Sequence, residues 1–208
     1  MSVLSLLDYT SVIVFALTGA LVASRAQLDI VGFAFLACLT GLGGGTLRDL
    51  LLDRAPIWMG DPTYLALGCA AAVVVFFTAH LFESRYRAIL WLDALALPVA
   101  VAAGAGVAAS LELPWPIIVV MGIVTGCGGG LMRDVVANEV PLVLKQGELY
   151  VTCALAGSGA LALAAWQGLP APLPALACAG VTFALRAGSI GFGWRLPVYK
   201  GRPPRYKP

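Results

Sequence analysis

Charge is what this chain has least of. Asp, Glu, Lys and Arg together make up 12% of its 208 residues, about half the roughly 25% found in a soluble domain. That scarcity excludes an ordinary water-exposed globule. Histidine occurs once, as His80, with no second ligand in evidence nearby, so a structural role is expected for it. The five cysteines, Cys38, Cys69, Cys127, Cys153 and Cys178, are an odd number, all in apolar stretches and without Cys-x-x-Cys spacing. This excludes a disulfide frame and a zinc site, and leaves them as small packing residues. No nucleophile-base pair, metal-ligand cluster or Lys-Ser/Thr phosphate loop is present, so neither an enzyme nor a cofactor is expected.

What is there is apolar: 60% of the residues are hydrophobic, and mean hydropathy is +0.91. Stretches of about 20 apolar residues are long enough to span a bilayer, and seven such stretches occur, near 6–24, 28–52, 63–82, 88–110, 116–137, 149–166 and 173–194. Connections are short, and no soluble domain fits between them. The expected fold class is therefore an all-α integral membrane protein, a single domain over 1–208 with seven transmembrane helices. Arg25, Arg85, Arg87 and Lys145 lie in one set of loops, and Arg195, Lys200, Arg202, Arg205 and Lys207 in the C-terminal tail; the opposite loops carry only Arg54. Basic loops stay cytoplasmic, which places the N-terminus outside and the C-terminus inside the inner (plasma) membrane. With no basic n-region before the first span, no cleaved signal peptide is expected. The net charge of +2 is mostly that tail, which fixes topology and can touch anionic lipid. No nucleic-acid partner is expected.

Two copies of one phrase stand out against this background: Gly41-Leu-Gly-Gly-Gly-Thr-Leu-Arg48-Asp49 and, 85 positions later, Gly126-Cys-Gly-Gly-Gly-Leu-Met-Arg133-Asp134. Each helical glycine costs about 1 kcal/mol relative to Ala, and an arginine near the bilayer center costs about 2.5–3.5 kcal/mol. A simple lipid anchor has no use for either. The same offset aligns Asp8 with Asp93, Gly19 with Gly104 and Pro56 with Pro141; over 41–58, four glycines, Arg, Asp and Pro recur, seven of eighteen positions. The repeated units span 4–84 and 89–169, three helices each, followed by a peripheral seventh helix at 172–195 and a basic tail at 196–208. An odd number of spans per unit forces the second copy to enter the membrane upside down, an inverted-topology repeat.

Inversion puts Arg48 and Asp49 on the external side and Arg133 and Asp134 on the cytoplasmic side, with the two glycine runs meeting near the midplane. One expectation is that both helices unwind there. Unpaired backbone cannot face lipid, so it would line a hydrated path, with Gly43, Gly44, Gly45, Gly128, Gly129 and Gly130 offering carbonyls to a cation. The rival reading is packing: Gly41-xxx-Gly45 and Gly126-xxx-Gly130 are small-xxx-small motifs that let helices approach closely. Packing alone leaves the Arg-Asp pairs without a purpose. Adjacent residues do not face each other on a helix, so each of these charges is expected to pair with another element or face water. Arg186, near the end of the last span, is expected to snorkel to the cytoplasmic interface.

The doubled phrases, Pro56 and Pro141, the Asp8…Gly19-Ala20 opening and Glu148-Leu-Tyr150 resemble the prokaryotic branch of the trimeric intracellular cation (TRIC) channels, over nearly the whole chain. The resemblance implies a homotrimer with one monovalent-cation pore per protomer, permeable to potassium or sodium. Kinked second and fifth helices would form the pore around Gly43–Gly45 and Gly128–Gly130. Arg48, Asp49, Arg133 and Asp134 would lie beside it as pore charges or gating elements, and bound membrane lipid is a further expectation. Positive charge near a potassium path is countered by Asp49, Asp134, Asp8 and Asp93, unless the arginines move with voltage or bind a phosphate or carboxylate. Relatives of such sequences also carry the label of glycine transporter. A secondary carrier placing a zwitterion's carboxylate on Arg48 or Arg133 is the alternative, and a membrane scaffold without transport is the third reading.

Overall fold

The computed structural model describes residues 3–81, 84–145 and 149–197. Glu148, Lys200, Arg202, Arg205 and Lys207 lie outside the described residues. The helices are α1 (Val3–Arg25), α2 (Ile30–Leu51), a one-turn α3 (Ile57–Gly60), α4 (Thr63–Thr78), α5 (Arg85–Ser110), α6 (Trp115–Val136), α7 (Val151–Trp166) and α8 (Leu173–Phe192). The described part is helical, with no strand among the described residues. Among the described residues, six helices, with α4 continued by a 3-10 turn to Leu81, are long and apolar enough to cross a membrane. At 16 residues α7 is shorter; at a rise of about 1.5 Å per residue it reaches roughly 24 Å of a hydrocarbon core of about 30 Å.

Several helix ends are set by local chemistry. Asp29 caps α2 by accepting a 2.8 Å hydrogen bond from the Gly32 amide, and Ser84 caps α5 through the Arg87 amide at 3.4 Å. α1, α2, α5 and α6 all end in one motif. Gln27, Asp53, Glu112 and Asn138 adopt left-handed φ values of 53–55°. The next amide then reaches back five residues: Leu28 to Ala23, Arg54 to Asp49, Leu113 to Ala108 and Glu139 to Asp134. These are Schellman terminations, which satisfy carbonyls the helix leaves orphaned. Gln27 and Glu112 are 85 positions apart, as are Asp53 and Asn138, so the sequence offset is repeated in backbone geometry.

Small residues bring the helices together. Lipid tails are as apolar as leucine, so close contact rather than water exclusion holds membrane helices to one another. α5 has Ala94, Ala96, Ala102, Ala103, Ala105 and Ala108 completely buried. α1 and α5 run through the middle of the bundle, against each other and against α2 and α6. α4 and α8 turn large apolar side chains outward, such as Phe77 and Leu176.

Asn138 tests the terminations. Asn138→Val should cost about 1–2 kcal/mol, the left-handed penalty for an ordinary side chain, whereas Asn138→Gly should be tolerated. Thermal unfolding in detergent reads the difference, and equal melting of the two variants would contradict it.

Candidate functional site

The two glycine phrases meet where α2 crosses α6. A Cβ added to Gly44 would lie 2.1 Å from the Thr125 carbonyl oxygen, and one added to Gly129 would lie 2.1 Å from that of Thr40. Thr40 and Thr125 are themselves 85 positions apart, so the contact is reciprocal: each helix sets a glycine against the other's carbonyl. Gly43 faces Met132 Sδ, and Gly128 faces Leu47. The same economy brings α1 onto α2 at Gly19, where a Cβ would meet the Leu36 carbonyl at 2.4 Å, and α5 onto α6 at Gly104, where it would meet the Met121 carbonyl at 2.6 Å.

This corrects the expected unwinding at Gly43–Gly45 and Gly128–Gly130. Both helices run unbroken through their glycines, α2 from Ile30 to Leu51 and α6 from Trp115 to Val136. A continuous helix keeps its backbone bonds internal, as hydrocarbon demands, and the missing side chains serve close backbone approach.

The Arg-Asp pairs occupy the last turn of each helix, where a cation suits the dipole. Arg48 donates from Nε to Asp49 Oδ1 at 2.8 Å, from Nη2 to Asp49 Oδ2 at 3.3 Å and from Nη1 to Asp8 Oδ1 at 2.8 Å. Arg133 donates from Nε to Asp134 Oδ1 at 2.8 Å, and its two terminal nitrogens grip Asp93 at 2.9 and 3.0 Å. The expectation that neighbors do not pair is half met. Each arginine does reach a carboxylate on another helix, but its long side chain also folds back onto the adjacent aspartate. That aspartate has a second role as an anchor for the chain beyond the helix. Asp49 Oδ2 accepts from the Ile57 amide at 3.1 Å, and Asp134 Oδ2 from the Leu142 amide at 2.9 Å. Both sets match residue for residue at the 85-position offset.

The clusters differ in access. Arg133 and Asp93 have side chains at 0% exposure, while Asp8 retains 9%. Asp8 borders a cavity of about 10 Å³ lined also by Ser11, Thr40, Gly44, Gly45 and Thr125, room for about one water. Ile57 of α3 closes its side. Trp58 Nε1 anchors α3 to Thr46 Oγ1 at 3.0 Å. Just beyond α3, the Tyr9 hydroxyl donates to Asp61. That bond, with further help from Thr63, lowers the Asp61 carboxyl below its usual range.

Other candidates fall elsewhere. Arg186 does not snorkel: it is completely buried in α8, its guanidinium 5.0 Å from the Tyr150 ring centroid, with Nη1 donating to the Leu149 carbonyl at 3.3 Å. α7 and α8 pack closely enough to enclose it, which removes any route to the interface. Cys127, Cys153 and Cys178 are buried as expected of packing residues, while Cys38 and Cys69 face each other at 3.9 Å between α2 and α4. Of the site residues that sequence reasoning missed, Thr40 and Thr125 carry a readable signal, since both precede the glycine phrase at the repeat offset. Thr18, which accepts from Arg133 Nη1 at 2.8 Å, carries none, because its counterpart is Ala103.

Gly44→Ala and Gly129→Ala should each cost about 1–3 kcal/mol by forcing the crossing apart. Gly159→Ala, with nothing within 4 Å, should be neutral or stabilizing in the same thermal melts. Asp93→Ala strips a fully buried arginine of a two-pronged partner and should cost about 3–5 kcal/mol. Asp8→Ala, with one prong and partial access, should cost measurably less.

Comparison with known proteins fits this geometry. Residues 5–80 and 90–166 match the family described as "Glycine transporter", two segments that follow the repeat. The chain is 36% identical to the UPF0126 inner membrane protein YadS of Escherichia coli K12, over 93% of this chain and 94% of that one. It is 32% identical to the UPF0126 membrane protein YvgT of Bacillus subtilis, over 92% and 94%. Among solved structures, the TRIC trimeric intracellular cation channel orthologue from Rhodobacter sphaeroides superposes with a TM-score of 0.89 at 40% identity, covering 93% of this chain and all of that one. A prokaryotic TRIC channel crystallized in 0.5 M KCl superposes at 0.86 with 28% identity, over 93% and 98%. On this agreement of sequence, repeat and fold, the chain belongs to the prokaryotic TRIC family.

Proposed function

We propose that this protein is a multi-pass inner-membrane cation channel, permeable to potassium, that works as a homotrimer with one pore in each protomer. The pore follows the α2–α6 crossing. Its two halves are inverted three-helix repeats, α1, α2 and α4 against α5, α6 and α7, with α8 as the seventh span, the N-terminus outside and the C-terminus in the cytoplasm. Potassium or sodium is the permeant ion, and bilayer lipid surrounds the bundle.

One observation carries this reading. Every hydroxyl lining the central cavity donates its proton to its own helix: Ser11 to the Asp8 carbonyl at 2.9 Å, Thr40 to Leu36 at 2.6 Å and Thr125 to Met121 at 2.7 Å. Oxygen lone pairs are left for the cavity, a lining suited to a cation and unsuited to an anion. The arginines do not spoil it. Each is flanked by two aspartates, so each cluster has a formal charge of −1, and the positive charge that would repel potassium is neutralized in place. The cavity's small volume corresponds to a shut pathway, which opens when α2 and α6 shift.

The family description favors a second reading, a carrier for glycine. Against it, both guanidinium groups are already occupied by carboxylates, which leaves the zwitterion's carboxylate without its proposed partner.

Purified trimer in planar bilayers should carry ohmic, non-saturating potassium current. Thr40→Val and Thr125→Val keep the shape but remove the lone pairs, and should lower unitary conductance severalfold. Saturable accumulation of labeled glycine without current would overturn the channel and establish the carrier.

A further inference from the structure

The two ion-pair clusters match at every position but one. Arg133 is held by Asp134, by both oxygens of Asp93, and by Thr18 Oγ1 at 2.8 Å. Thr18 lies on α1, in the first half of the chain, and Arg133 on α6, in the second. The hydroxyl is completely buried and donates its own proton to the Phe15 carbonyl at 2.8 Å, so it presents an oriented lone pair to the guanidinium. The equivalent position in the other repeat is residue 103, 85 further on. It is Ala103, also completely buried, and has no oxygen to offer. Arg48 makes a single-pronged contact with Asp8, which borders the cavity, while the Arg133 and Asp93 side chains have no exposed surface.

Resting on the channel reading above, we propose that Thr18 is a positioning residue that latches α1 to Arg133 while the pore is shut, so that the Asp8–Arg48–Asp49 cluster yields first and the Asp93–Arg133–Asp134 cluster gives way only when the latch breaks on opening. The latch joins the two halves of the chain in the shut state, and any opening that slides α1 past α6 must break it. A buried hydrogen bond to a charged group is among the stronger kinds, and its counterpart is missing on the other side. The asymmetry therefore directs motion to the Asp8 side, where Asp8 can exchange its one bond to Arg48 for a passing cation.

The test uses the full trimer with Thr18→Val, Thr18→Ser and Ala103→Ser. Valine keeps the shape and loses the acceptor; serine at 18 keeps the acceptor; serine at 103 supplies the missing mirror latch. In planar bilayers with potassium, Thr18→Val should raise open probability roughly tenfold, equivalent to about 1.4 kcal/mol, with unchanged unitary conductance. Thr18→Ser should gate as the parent does, and Ala103→Ser should lower open probability. Thr18→Val gating like the parent, or Thr18→Ser gating like Thr18→Val, overturns the latch. Amide hydrogen exchange on the same proteins decides the matter independently of current. Segments around 15–22 and 129–136 should exchange faster in Thr18→Val and not in Thr18→Ser, and equal exchange overturns the proposal. A parent trimer that conducts no potassium sinks the channel reading alone, since the exchange comparison still reads the latch.

Discussion

Everything in this bundle depends on two backbones touching. At the α2–α6 crossing, Gly44 sits against the Thr125 carbonyl and Gly129 against that of Thr40, at distances that leave no space for even a methyl group. In a membrane the hydrophobic effect does not press helices together, so this approach supplies much of what holds the two halves in register. It also sets the position of the ion pairs. Arg48 and Arg133 lie one turn past the glycines, and the crossing decides which carboxylates they meet.

Buried charge then makes the arrangement specific. An arginine at this depth is tolerable only with full compensation, and each has it from two aspartates, one adjacent and one on the neighboring central helix. Those aspartates also tie down the chain after each helix, through the Ile57 and Leu142 amides. One network thus joins helix end, connecting turn and central helix. The cavity beside Asp8 borders the less enclosed of the two clusters, and the hydroxyl orientations there are what the channel proposal stands on.

Much of this is legible in the residues. The apolar runs locate the helices to within a few residues, because length and hydropathy are what a bilayer selects. The offset of 85 is visible in Asp8 and Asp93, in the glycine phrases and in the trailing prolines, and it reappears in the left-handed turns at Gln27 and Glu112. The glycine runs read as unwound and are not. Composition gives the propensity cost of three glycines, but not the neighboring carbonyl that makes their bareness useful. Arg186 reads as interfacial and is buried for a similar reason, since nearness to a helix end says nothing about what packs over it.

The sequence by itself determined the membrane class, the apolar segments, the residues that recur at an offset of 85 and the list of charged residues that lipid cannot accept alone. Those follow from hydropathy and periodicity, which are properties of the chain's own order. Only the tertiary structure decided who meets whom: that Arg48 and Arg133 each hold two aspartates, that the glycines stay helical, and that Thr18 breaks the symmetry with Ala103. The cross-helix pairings join side chains 40 to 115 positions apart, brought together by a crossing whose geometry no local pattern encodes.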